Sequence, residues 1–68
     1  MFKEFELRGH VIKCNARDTN IYQSTTEPDS VVVLYNTEVI ATIRYASEGF
    51  VIKSKNGIRL EGNTITIL

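Results

Sequence analysis

The sequence predicts an all-β fold: a small antiparallel β-meander curled into a sandwich or partly open barrel, with an N-terminal strand or hairpin. Three observations carry this expectation. From Val31 to Leu68 apolar residues alternate with a period of two, the pattern of strands that bury one face. β-Branched and aromatic residues dominate that stretch, while Ala, Leu and Met are scarce. Turn chemistry interrupts it at Asn36-Thr37-Glu38, Ala46-Ser47-Glu48-Gly49, Lys55-Asn56-Gly57 and Gly62-Asn63.

At the N-terminus, Phe5, Leu7 and Val11 share one parity and Ile12 and Cys14 the other, so the chain changes face near Gly9, where a strand bends or bulges. A helix over Phe2–Arg8 is the alternative, supported by the spacing of Phe2 and Phe5, and strand is preferred. Asn15-Ala16-Arg17-Asp18-Thr19-Asn20 reads as a polar loop and Ile21-Tyr22-Gln23-Ser24-Thr25 as a short strand. Glu27-Pro28-Asp29-Ser30 ends that strand with strong turn residues.

The later turns can be judged by the pairs they create. Asn36-Thr37-Glu38 would set Tyr35 opposite Val39 and Val33 opposite Ala41, and the next turn Tyr45 opposite Phe50 and Ile43 opposite Ile52. A two-residue loop at Asn56-Gly57 would put Ile52 on the wrong face. A three-residue loop, with Gly57 at the left-handed position of a G1-type bulge, pairs Ser54 with Ile58 and Ile52 with Leu60 instead. Gly62-Asn63 as a type II′ loop pairs Leu60 with Ile65 and Ile58 with Ile67. Five strands then form one meander with a continuous apolar face.

The stretch from Lys55 to Ile67, KNGIRLEGNTITI, resembles the Gly-Ile-x-Leu-x-Gly-x-x-Ile-x-Ile repeats of phage tail-spike and baseplate β-helices. Such repeats imply intertwined trimers with isoleucines buried along a needle. The resemblance is confined to the last fifth or so of the chain, and the first two thirds carry no such repeat.

The bulk numbers narrow the function. With 68 residues the chain supports one domain, burying about 60% of the surface its unfolded form exposes. Such a core supplies about 3–5 kcal/mol, which makes association with a second chain relevant. Eight Lys+Arg balance eight Asp+Glu, which argues against a general polyanion binder. A lone Cys14 excludes an internal disulfide framework and points to a reducing, cytoplasmic setting. No apolar run approaches the roughly 20 residues of a membrane-spanning helix, and the acidic N-terminus reads as an unprocessed one rather than a signal peptide.

No catalytic constellation stands out, and no cofactor is implied. His10 and Cys14, four apart on a strand, lie roughly 13 Å from each other, too far to share a metal ion. They are read as an edge histidine and a buried thiol. The serines lack an elbow or oxyanion-hole signature, and the four glycines are too scattered to form a phosphate loop.

Two surfaces remain. On the meander's second face, Val32, Leu34, Ile40, Val51 and Leu68 form a candidate protein interface, because an apolar half-face needs cover from the N-terminal hairpin or another subunit. On the same side, Arg44, Lys53, Lys55 and Arg59 form a candidate anion or nucleic-acid contact, with Lys53 and Arg59 on adjacent strands and threonines nearby. Tyr22 is the aromatic placed to stack on a base, whereas Tyr35, Tyr45 and Phe50 read as core. The leading expectation is therefore a small non-enzymatic binding module acting through protein contacts, as a homodimer or accessory subunit. A small-barrel nucleic-acid-binding module is the alternative.

Overall fold

The computed structural model describes residues 4–14 and 17–68, and among these every regular element is a strand. In chain order they are β1 (Glu4–Leu7), β2 (His10–Cys14), β3 (Thr19–Gln23), β4 (Ser30–Tyr35), β5 (Glu38–Ala46), β6 (Gly49–Ser54), β7 (Ile58–Glu61) and β8 (Thr64–Ile67). They make two four-stranded sheets, ordered β1-β2-β8-β7 and β3-β4-β5-β6, which pack over one shared core as an open sandwich rather than a closed barrel. Among the described residues no helix is long and apolar enough to cross a membrane. The N-terminal alternative is resolved as strand from Glu4 onward; Phe2, Asn15 and Ala16 lie outside the described residues.

The alternation places the core. Ile21, Val31, Val33, Ala41 and Ile43 point inward from the β3–β6 sheet, and Leu7, Ile12, Ile65 and Ile67 from the other; all are buried. Phe5, Cys14, Phe50, Ile52 and Ile58 close the cluster at its margins. Ile12, Ile21, Val31, Val33 and Ile43 are wholly excluded from water, each worth about 1.5–3 kcal/mol relative to exposure.

Several turns follow their chemistry. β7 and β8 pair Ile58 with Ile67 and Leu60 with Ile65, as the two-residue loop requires. The positive φ falls on Gly62 (57°) and not on Asn63, which is the type II′ pattern. β5 and β6 pair Tyr45 with Phe50 and Ile43 with Ile52. Near Gly9 the expected bend is a full reversal. Arg8 (φ 52°) and Gly9 (φ 79°) form a two-residue turn that sets Phe5 opposite Ile12 and Leu7 opposite His10. The resulting hairpin lies alongside β8, with β2 running parallel to it, Ile12 opposite Ile65.

Three expectations need correction. First, the five-strand meander is divided: β6 and β7 do not pair, so Ile52 does not face Leu60 across a hairpin. The Lys55 amide still donates to Ile40 of the β3–β6 sheet (2.8 Å), whereas the Gly57 carbonyl already accepts from Leu68 beside the other sheet (3.2 Å). Only Asn56 lies between those two attachments. The physical reason is coverage: a flat meander would leave its apolar face wet, and folding it at 55–57 lets each half bury the other.

Second, β4 and β5 join through two residues, Asn36-Thr37, with Tyr35 opposite Glu38 and the register shifting between Val33 and Leu34. This bulge makes Ile40 the extra residue and turns both Ile40 and Ala41 inward, while Val39 and Tyr35 become exposed. Third, the tail-spike-like segment forms an antiparallel hairpin in a sandwich, not a β-helical coil.

Candidate binding surfaces

On the outer face of the β3–β6 sheet, the register builds rows across the strands. Tyr22, Val32, Thr42 and Lys53 form one row, and Asn20, Leu34 and Val39 another. A third carries Ser30, Arg44 and Val51. Of the expected interface residues, Val32, Leu34 and Val51 therefore share this face. Ile40 does not: the bulge takes it to 8% exposure. Leu68 lies elsewhere, beside a cleft of about 340 Å³ that it shares with Tyr35, Glu38, Ile40, Lys55 and Asn56.

The basic residues are also divided. Arg44 and Lys53 line one depression of about 280 Å³ together with Glu27, Ser30, Thr42 and Val51. Among the described residues these two cations form no ion pair. Lys55 is instead paired with Glu38. Arg59 belongs to the other sheet, 3.9 Å from Glu61. The expected side-by-side placement of Lys53 and Arg59 fails because β6 and β7 are in different sheets.

A cross-sheet cluster closes one end of the sandwich. The Arg8 guanidinium donates to the Asp29 carboxylate at 2.7 Å and lies 5.0 Å over the Tyr45 ring. The Asp29 hydrogen bond, reinforced by its negative charge, holds the Arg8 proton more tightly than usual. His10 and Tyr45 both meet the Phe50 ring edge-to-face, at 4.7 and 5.1 Å. His10 is thus half-buried on β2, a strand flanked by β1 and β8, and not an edge residue. Cys14 is half-buried on the same strand, and no group of three or more His, Cys, Asp or Glu among the described residues could hold a metal ion.

Sequence reasoning overlooked the wettest apolar side chains. Alternation assigns Tyr35 (44% exposed), Val39 (53%) and Leu60 (64%) to the core face, and all three are wet. The adjacent pair Ile40-Ala41 was the available sign of a bulge, since strict alternation buries only one of two neighbours. Leu60 gives no such sign: it faces inward opposite buried Ile65, but on a sheet-edge strand beyond the reach of the other sheet. No family model, curated protein or solved structure matches this chain.

Proposed function

We propose that this chain is a small non-enzymatic binding module acting through protein–protein contacts, as a homodimer or as a subunit docked on a larger protein. The observation that carries the reading is the amount of apolar surface left wet: Tyr22, Tyr35, Val39, Val51 and Leu60 are 39–64% exposed in a 68-residue chain. A standard interface takes about 800 Å² per partner, roughly a sixth of the 4601 Å² this chain exposes. Association would remove part of that apolar area from water and add to a core of modest size. Sedimentation of the purified chain, with covalent cross-linking in the cell that makes it, tests the reading. A dimer or a defined protein complex supports it. A chain that is monomeric at every concentration and cross-links to no protein contradicts it.

The unpaired Arg44 and Lys53 in one depression favour a second reading, an anion or nucleic-acid contact of narrower footprint than four cations would give. Two phosphate contacts imply that log K falls by about 2 per tenfold rise in salt. Oligonucleotide binding titrated against salt, for the parent chain and Arg44→Ala/Lys53→Ala, checks this. Absent or salt-independent binding removes it.

A further inference from the structure

We infer that β7 is a self-pairing edge: two copies of this chain join antiparallel along β7, with Leu60 on the two-fold axis and Arg59 of each copy opposite Glu61 of the other. This rests on the protein-contact reading and names its partner as a second copy. The backbone phase comes first. A two-residue loop makes its flanking residues, Glu61 and Thr64, a hydrogen-bonded pair, and such pairs recur at every second position. The Leu68 amide donating to the Gly57 carbonyl has that same phase. Arg59 and Glu61 therefore spend their backbone groups on β8, and Ile58 and Leu60 direct theirs to the open edge.

The side chains then select one register. An antiparallel two-fold centred on Leu60 lets the two Leu60 residues exchange both backbone hydrogen bonds. It sets Arg59 against Glu61 twice on the outer face. A two-fold centred on Arg59 would oppose two arginines, and one centred on Glu61 two glutamates, both unfavourable. On the inner face, the same register brings together two Leu60 side chains that are 64% exposed in the single chain.

The other edges lack this combination. β1 directs the backbones of Glu4 and Glu6 outward, so self-pairing centred on β1 opposes carboxylates. β6 would set Lys53 against Val51 or against another lysine. β3 carries no charge, but of its inward-facing residues Thr19 and Ile21 are already buried and the exposed Gln23 is polar, leaving no apolar surface on that face to gain.

The test is sedimentation velocity on the parent chain, Arg59→Glu, Glu61→Arg and an equimolar mixture of the two variants, with circular dichroism confirming that each is folded. Each single variant places like charges opposite twice and should weaken the dimer about tenfold or more. The mixture restores both interchain pairs without restoring the pair within either chain, so recovery to near the parent's affinity isolates the contact across the axis. If the single variants dimerise as the parent does, edge pairing is overturned and the protein-contact reading stands on another surface. A parent chain that is monomeric at every concentration overturns the self-pairing, and the broader reading falls only if cross-linking also finds no other protein.

Discussion

β3 and β7 are both sheet edges, yet they leave the molecule in different conditions. Of the inward-facing residues of β3, Thr19 and Ile21 are fully buried and the exposed third, Gln23, is polar. The inward residues of β7 are Ile58, half-buried, and Leu60, 64% exposed. Both strands offer open backbone, but only β7 also offers uncovered apolar side chain on the inner face. Strand alternation fixes which way a residue faces, while the reach of the opposing sheet decides whether that direction is dry. An edge becomes a candidate interface when those two conditions part.

The largest expected effect separates the two edges directly. Ile21→Ala should cost about 2–5 kcal/mol of folding stability, because it empties a closed part of the core. Leu60→Ala in dilute, monomeric chain should change stability by less than about 0.5 kcal/mol, as surface substitutions do. Urea unfolding of both variants makes the comparison, and equal losses would mean that β7 is covered in solution.

An intermediate effect is expected at the turn that presents β7. Gly62→Ala meets no atom within 4 Å but must hold a φ of +57° at the first position of a type II′ turn, a conformation that favours glycine and costs an L-residue about 1–3 kcal/mol. Thermal unfolding should show this loss with the native circular dichroism spectrum retained, since the penalty is backbone strain and not a clash.

The smallest effect belongs to the Arg8–Asp29 pair, both of whose side chains remain partly exposed. Asp29→Asn should lower the melting temperature slightly. Because Asp29 raises the Arg8 pKa, the contribution tied to Arg8 protonation is fully present below the ordinary arginine value and is lost only as pH climbs through the higher folded one. Deprotonation of Arg8 therefore adds no pH dependence across the neutral range. Urea titrations of the parent chain and Arg8→Ala at mildly acidic and mildly alkaline pH should differ by a nearly constant amount.

Much of this fold was legible because its signals are local. Ile43 opposite Ile52, Tyr45 opposite Phe50 and Ile58 opposite Ile67 follow from parity and turn length alone. The division at 55–57 was not, because a G1-type hairpin and a crossing between sheets call for similar residues. What decides between them is the whole apolar face seeking cover. The division separates the candidate sites: Arg59 lies in a different sheet from Lys53, and Leu60 is on an edge strand rather than a central one. The parallel contact of β2 with β8 joins residues from opposite ends of the chain, beyond any local pattern. Val32, Leu34 and Val51 share the outer face that alternation predicts, because that placement depends only on β4, β5 and β6.

Amide hydrogen exchange as a function of protein concentration reads pairing along β7 residue by residue. The Leu60 amide, directed to the open edge, should exchange rapidly in dilute solution and become protected as concentration rises. The Arg59 amide, bonded to β8, and the Ile21 amide on the β3 edge should keep the same protection throughout. Leu60 exchanging equally fast at every concentration, while the chain associates through some other surface, would contradict it.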